Sequence, residues 1–138
     1  MPILFGINSS FKPNNNIPCY TTMENTKPTN AGEVVNAFLK AMNNEDFNAA
    51  RQYARDDMKF VGVLGSRNGA DAYFQDMEKM KFKYEIKRMF TDNDDVSVFY
   101  DINMGDNTIF SSGWYHVIDG KINNIRVVFD PRPLLESH

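Results

Sequence analysis

The sequence has few of the residues that build covalent or metal cross-links. Its 138 residues include one cysteine, Cys19, and two histidines, His116 and His138. A single cysteine rules out an intramolecular disulfide framework and an all-cysteine metal site, and two histidines, one of them the last residue, exclude a multi-histidine metal site. We therefore expect neither a metal nor a cofactor, and we expect a reducing compartment, the cytoplasm.

Long apolar runs and an excess of positive charge are also missing. The longest apolar run near the N-terminus, residues 3–5, is too short for a signal-peptide core or a bilayer span. The formal net charge of −3 provides no basic field that would attract phosphates or anionic lipids. We therefore expect no nucleic acid and no membrane among the partners, and a small molecule or a protein instead.

The length and apolar content fit one domain behind an irregular N-terminal arm. A chain of 138 residues with 42% hydrophobic residues can bury one core. Residues 1–28 contain four prolines and an Asn14-Asn15-Asn16 run but no sustained period of 2 or 3.6, which is typical of irregular chain. We expect an arm over residues 1–28 and a domain over residues 29–138.

Capping residues and apolar periodicity predict three helices. Asn30 followed by Glu33 makes a capping-box variant, Asp46 is a second N-cap, and Asn68 is a third. The second helix is expected to end around residues 55–57. Apolar stripes follow each cap, and they comprise Ala31, Val34, Val35, Phe38, Leu39 and Met42, then Phe47, Ala50 and Tyr53, then Ala70, Tyr73, Phe74 and Met77.

Strand patterns dominate the second half of the chain. A short apolar candidate covers residues 58–64, an alternating segment starts at Phe82, and three more strands are predicted at residues 96–104, 108–118 and 121–129. Arg88 breaks the alternation of its strand, and a β-bulge that rotates it outward explains this better than burial of an unpaired guanidinium. The acidic segment 92–95 lacks calcium-loop spacing and predicts a plain turn. Helices followed by a meander indicate an α+β fold.

The Asp119-Gly120 pair between two β-rich runs predicts a two-residue hairpin turn. An unbroken register from this turn pairs His116 with Asn123, and it pairs Trp114 with Ile125, Ser112 with Val127 and Phe110 with Phe129. We expect this aromatic face to meet the helices. The opposite face is too apolar for water, which predicts a homodimer packed through it; it carries Tyr100, Ile102, Ile109, Tyr115, Val117 and Val128.

Two segments resemble the cone-shaped nuclear-transport-factor-2-like (NTF2-like) superfamily. They are VVNAFLKAMNNEDFNAARQYARDD at 34–57 and DGKINNIRVVFDP at 119–131. The superfamily includes ketosteroid isomerase, limonene epoxide hydrolase and SnoaL-like polyketide cyclases. The resemblance covers residues 29–133 and implies three helices packed on a strongly curved antiparallel sheet that encloses a pocket. It specifies the fold more than the activity.

The catalytic residues of these relatives are not retained. By the resemblance, the tyrosine and aspartate positions of ketosteroid isomerase fall on Phe38, Gly62 and Trp114. The last-strand aspartate of the cyclases and epoxide hydrolases falls on Val127. The resemblance therefore supplies no catalytic set for this chain.

Asp101 and His116 are the candidate catalytic residues that remain. Asp101 is a general base if it faces the cone and a solvated or Arg88-paired carboxylate if it does not. A two-residue loop near Gly105-Asp106 puts it on the Phe110 face, and a three-residue loop puts it on the opposite face. His116 transfers protons or binds ligand, or it is a partly exposed strand histidine. The expected ligand-binding residues are Phe38, Tyr53, Tyr73, Phe99, Phe110, Ser112, Trp114, Val127 and Phe129.

Two functions fit these features. The first is a domain that binds an apolar, ring-containing small molecule, as an enzyme of cyclase or isomerase type working with Asp101 and His116. The second is a non-catalytic dimeric accessory or ligand-carrier protein whose cone is filled by Phe38, Trp114 and Phe129. The volume of the cone distinguishes the two.

Overall fold

The computed structural model describes residues 30–135, so the predicted arm over residues 1–28 lies outside the described residues. Four helices and six strands form one α+β unit. In chain order they are α1 Ala31–Asn43, α2 Phe47–Arg51, β1 Ala54–Val61, β2 Ser66–Asn68, α3 Ala70–Met80, β3 Lys83–Asp92, β4 Asp95–Asn103, β5 Thr108–Ile118, β6 Lys121–Phe129 and α4 Arg132–Leu135.

The first two helices begin where the caps predict. The Asn30 side chain accepts a hydrogen bond from the Glu33 N–H at 2.9 Å, and Asp46 accepts one from the Ala49 N–H at 3.1 Å. The predicted end of α2 is wrong, because the helix stops at Arg51 and the chain is already extended at Ala54. There β1 runs beside β6, and the Ile122 N–H donates to the Tyr53 carbonyl at 2.7 Å.

Helix α3 buries the predicted face but has a different cap. Tyr73, Phe74 and Met77 are buried. The N-cap position is Gly69 at φ +94°, with no side-chain hydrogen bond, a backbone conformation that glycine adopts without strain. The predicted Asn68 cap is wrong because Asn68 ends β2, paired with Lys59.

The strands form one curved sheet in the order β2-β1-β6-β5-β4-β3. All neighbouring pairs are antiparallel, as expected, except β1 with β6, which is parallel. Helices α1 and α3 pack on one side, which we call the inner face. That face of β4 presents Val96, Val98, Tyr100 and Ile102, all buried.

The hairpin between β5 and β6 starts in the predicted register and then shifts by one residue. Ile118 pairs with Lys121 and Val117 with Ile122, so the two-residue turn is confirmed. A bulge at Asn123 then pairs His116 with Asn124. Because one extra residue moves all later side chains of a strand to the other face, the bulge changes which residues lie beside each other.

The shifted register makes the predicted facing of β5 wrong, whereas Ile125, Val127 and Phe129 of β6 face the helices as predicted. Tyr115 now pairs with Ile125, and Gly113 pairs with Val127. Tyr115, Ile125 and Val127 are buried on the inner face, whereas Trp114 is 52% exposed. Phe110 and Trp114, which were expected inside, therefore lie on the outer face of the sheet. The residues expected under a second subunit are buried, apart from the exposed Val128.

Two smaller predictions about β3 are confirmed. The pairing of β3 with β4 shifts between Ile86 and Arg88, so Lys87 is the bulged residue and Arg88 is exposed. Asp92 pairs with Asp95 across a tight turn in which Asn93 has a positive φ of 55°. This is the plain turn that the sequence predicts.

Candidate functional site

A cavity of about 450 Å³ opens between α3, the β1–β2 connection and α4. We call it the mouth cavity. Helix α3 supplies Tyr73, Met77 and Met80 to its wall, and the connection together with the start of β2 supplies residues 62–67. The remaining wall residues are Phe60, Asp76, Phe82, Met104, Phe129 and Leu134. A wall of this composition is typical of sites for apolar small molecules.

A second cavity of about 40 Å³ lies deeper between α3 and the sheet. We call it the tyrosine chamber, because Tyr73, Tyr84, Tyr100 and Tyr115 line it. The two cavities are adjacent, since they share six wall residues, namely Phe60, Tyr73, Met77, Phe82, Met104 and Phe129. Ile102 and Val127 complete the chamber.

The chamber tyrosines carry the polar atoms of the deep site. The Tyr100 and Tyr115 hydroxyl oxygens lie 2.7 Å apart and share a hydrogen bond, and the Tyr84 hydroxyl donates to the Met77 sulfur at 3.9 Å. Burial raises the pKa of Tyr73, Tyr84, Tyr100 and Tyr115 above the ordinary tyrosine value. All four are therefore neutral near pH 7 and able to donate hydrogen bonds.

An ion pair lies at the rim of the mouth cavity. The Arg67 Nε is 2.7 Å from an Asp76 carboxylate oxygen, and the Asp76 side chain is 25% exposed. Asp76 is the only carboxylate that the described residues contribute to either cavity wall. The deep site therefore offers hydrogen-bond donors, and the rim offers one carboxylate that is already paired.

Three of the nine predicted ligand-binding residues line these cavities, and six do not. Tyr73, Val127 and Phe129 lie on the chamber wall. Phe38 is fully buried in the core, where its ring meets Phe74 and Tyr115 edge to face at 6.2 and 6.4 Å. Tyr53 is partly buried and belongs to neither wall. Phe38 and Tyr53 therefore lie outside both walls.

The other predicted lining residues lie on the outer face. Phe110 is 61% exposed, and its ring stacks on Phe99 with centroids 6.3 Å apart. Ser112 and Trp114 face the same side and border an open groove of about 360 Å³, which Arg126 also lines. Their predicted place inside the cone is wrong, because the Asn123 bulge puts Tyr115 and Gly113 there instead.

Asp101 and His116 also lie on the outer face and are far apart. The loop after β4 keeps the register in which Asp101 pairs with Phe110, and its carboxylate is 3.6 Å from the Lys87 ammonium. His116 Nδ1 is 2.8 Å from the carboxylate of Asp95, and Asp95 precedes Asp101 by six residues on β4. At 3.3 Å per residue this separates the two groups by about 20 Å, so they do not form one site.

Asp95 joins His116 to Trp114. Its carboxylate oxygen accepts the Trp114 indole N–H at 2.9 Å and lies beside His116. The hydrogen bond from Trp114, then that from His116, lowers the pKa of Asp95. The cluster therefore fixes the orientation of Trp114 on the outer face.

Sequence reasoning missed Tyr84, Tyr100 and Tyr115 as site residues. All three lie on strands with alternating apolar residues. The unbroken register assigns Tyr100 and Tyr115 to the same face, but to the face opposite the helices. The available signal was that this face is the more continuously apolar in β4 and β5. The two consecutive asparagines at 123 and 124 mark the position of the bulge.

The described residues contain no group of three or more side chains placed to hold a metal ion. Between residues 30 and 135, no helix is long and apolar enough to cross a membrane.

Comparisons with known proteins agree with this architecture. Residues 35–125 match the family model described as a SnoaL-like domain. An NTF2-like protein of unknown function from Cytophaga hutchinsonii is 43% identical, with 80% of this chain and 98% of that chain covered and a TM-score of 0.77. A search among curated proteins gives no match.

More distant solved structures share the fold. An LEH-like epoxide hydrolase from M. tuberculosis is 25% identical, with a TM-score of 0.67 and coverage of 77% of this chain and 86% of that one. A putative polyketide cyclase from Sinorhizobium meliloti is 16% identical, with a TM-score of 0.63 and coverage of 69% and 93%. At this identity the cyclase supports the fold alone.

Proposed function

Because the chain belongs to the SnoaL-like domain family of the NTF2-like superfamily, we propose that it binds an apolar, ring-containing small molecule in the mouth cavity. The observation that carries the proposal is the apolar cavity of about 450 Å³ that continues into the tyrosine chamber. Cavities of roughly 300–1,000 Å³ with apolar walls and a few polar atoms hold drug-sized ligands. The open cavity gives no support to the alternative of a packed cone.

The ligand enters along aromatic and thioether side chains. Phe60, Phe82 and Phe129 provide flat apolar walls, and Met77 and Met104 provide adaptable ones. Each Å² of apolar ligand surface that leaves water contributes about 25 cal/mol. Ring-containing ligands suit the site because they bury area with little loss of internal freedom.

A reaction of cyclase or isomerase type would require a group that moves a proton. On the described cavity walls only Asp76 is a carboxylate, and Arg67 holds it. Asp101 and His116, which the sequence suggested for this role, lie outside the cavity. The geometry therefore favours binding as the function to test first.

Filling the mouth cavity should weaken binding there. A Cβ at Gly65 meets no atom within 4 Å, and Gly65 lies on the cavity wall. Gly65→Trp is therefore expected to place an indole in the mouth cavity without straining the fold. Isothermal titration with 2-tetralone, a fused-ring ketone, should give at least a tenfold weaker affinity, equivalent to about 1.4 kcal/mol.

Gly65→Ala is the matched control, because its methyl group occupies open space and should leave the affinity unchanged. Equal affinities for 2-tetralone in Gly65→Trp and the parent protein would exclude the mouth cavity as the binding site.

We also propose that two copies associate through the outer sheet face. Phe90, Phe110, Trp114 and Val128 are each more than half exposed there, and the rings of Phe90, Phe99 and Phe110 form a continuous row with centroids 6.2 and 6.3 Å apart. A row of exposed aromatic side chains is unusual on a monomer surface. A second copy brings the same apolar face and satisfies both surfaces at once.

A further inference from the structure

The open groove on the outer face of the sheet places a tryptophan and an arginine side by side. Trp114 on β5 pairs directly with Arg126 on β6, and Val61 on β1 pairs with Arg126 from the other side. The Trp114 and Arg126 side chains therefore start roughly 5 Å apart, as in other directly opposed antiparallel pairs. We call this site of about 360 Å³ the outer groove, and its wall consists of Val61, Gly62, Val63, Ser112, Trp114, Arg126, Val127 and Val128.

Arg126 is the only charged side chain that the described residues contribute to the outer groove. Four other arginines each pair with an aspartate, and these are Arg51, Arg55, Arg67 and Arg132. Arg126 is exposed, and within residues 30–135 its guanidinium has neither a carboxylate partner nor a hydrogen-bond acceptor. All of its N–H donors are therefore free to bind a ligand.

Trp114 presents its ring to the outer groove with its polar edge already occupied. The indole N–H donates to an Asp95 carboxylate oxygen at 2.9 Å, and His116 Nδ1 lies 2.8 Å from the same oxygen. A ring that is already held in one orientation loses less freedom when a ligand binds against it. The groove therefore offers a fixed aromatic surface beside an unpaired cation.

Charge and shape together select the class of ligand. A guanidinium and a carboxylate form two parallel hydrogen bonds, and no carboxylate of the described residues lines the groove to compete for Arg126. Val61, Val63 and Val128 add apolar wall that a ring can cover. A phosphate would leave that wall in water, and a neutral ring would leave Arg126 without an acceptor. A flat aromatic ring that carries one carboxylate satisfies both parts of the groove.

We infer that the outer groove binds an aromatic monocarboxylate, whose carboxylate pairs with Arg126 and whose rings lie against Trp114. The Ser112 hydroxyl lies on the same wall and can donate a further hydrogen bond to the carboxylate. This inference goes beyond the proposed function, because the mouth cavity lies beside α3 on the inner side of the sheet and takes a neutral ring.

The indole N–H resonance reports directly on the outer groove, because Trp114 is the only tryptophan of the chain. In protein labelled with ¹⁵N-tryptophan, 2-naphthoate should shift this single resonance saturably. The uncharged 2-naphthamide has the same rings and should bind there at least about tenfold more weakly. Raising NaCl from about 50 mM to about 500 mM should weaken 2-naphthoate binding about threefold, because salt screens an exposed ion pair. Equal affinities for the two probes overturn the inference.

Two arginine variants separate a contact in the groove from a general effect of charge. Arg126→Gln should weaken 2-naphthoate binding at least about tenfold and leave the affinity for 2-naphthamide unchanged. Arg88→Gln is the matched control, because Arg88 is also exposed, pairs with Phe99 at the far edge of the same face, and has no carboxylate partner within residues 30–135. It should leave both affinities unchanged. Equal weakening of 2-naphthoate by the two variants overturns the inference.

A second copy of the chain is the other candidate occupant, since Trp114 and Val128 also belong to the face proposed for association. The titrations are therefore made on the parent protein and on Phe110→Asp, in which an unpaired charge opposes burial of this face. A saturable indole shift by 2-naphthoate in either protein, lost when Arg126→Gln is added, supports the inference. No saturable shift in either protein overturns it, whereas the Met77 and Met104 methyl resonances test the mouth cavity separately.

Discussion

Gly113→Ala is expected to destabilise the protein by about 2 kcal/mol, the middle of the range for overpacked cores. Gly113 lies on the inner face of β5, where a Cβ would overlap the Tyr100 hydroxyl oxygen and come within 2.9 Å of Tyr115 Cε1. Both rings are buried and held by neighbours, so neither can move freely. Urea denaturation followed by circular dichroism measures the loss.

The overlap predicts a rescue. Tyr100→Phe removes the oxygen nearest to the added methyl group, so Gly113→Ala should cost about 1 kcal/mol less in that background. Gly65→Ala is the control for a general glycine effect, because its Cβ meets nothing. Equal costs of Gly113→Ala in both backgrounds would show that the Tyr100 hydroxyl does not lie against β5.

Phe110→Asp is expected to convert a dimer into a monomer. Phe110 is 61% exposed and stacks on Phe99 in the middle of the outer aromatic row. In a single chain an aspartate there faces water, and its repulsion by Asp101 on the neighbouring strand costs up to about 1 kcal/mol. In an interface between two copies it would bury an unpaired charge, which costs several kcal/mol. Multi-angle light scattering at micromolar concentration should give twice the chain mass for the parent protein and the chain mass for the variant.

Gln75→Asp adds the same side chain at an exposed position of α3, away from the outer face, and should leave the dimer mass unchanged. The proposed interface is wrong if the parent protein itself has the mass of one chain, or if Phe110→Asp remains a dimer.

Local signals in the sequence predict most of the elements. Asn30 and Asp46 cap their helices through contacts only three residues away, and the bounds of β5 and β6 follow from alternation and the Asp119-Gly120 turn. Arg88 shows that a broken alternation can identify a bulge. These features depend on neighbours within a few residues, which is why a single sequence contains them.

Which side chains of the sheet point toward the helices is harder to predict, because it depends on the register of each strand pair. The only local sign of the bulge at Asn123 is that Ile122 and Ile125, three residues apart, are both apolar, and an unbroken register places one of them on each face. One missed residue then inverted the assignment of Trp114 and Phe110, and with it the predicted site. The α2 boundary failed for a related reason, since the parallel pairing of Ala54 with Ile122 joins segments far apart in the sequence.

The candidate site was therefore predicted only in part. Tyr73, Val127 and Phe129 lie on the chamber wall as expected. Tyr100 and Tyr115 come from two strands, and their 2.7 Å contact depends on Gly113, whose lack of a side chain makes room for it. No spacing along the chain encodes such a contact.

The most direct test of the account is a methionine-methyl NMR titration of the protein with 2-tetralone. Met77 and Met104 line both cavities, whereas Met42 is buried elsewhere in the core and Met89 lies on β3 outside both walls. Binding in the mouth cavity predicts saturable shifts of the Met77 and Met104 methyl resonances, with Met42 and Met89 unmoved. Saturable shifts confined to Met89, or no saturable shift at Met77 and Met104, would contradict the central claim that this cavity binds an apolar ring.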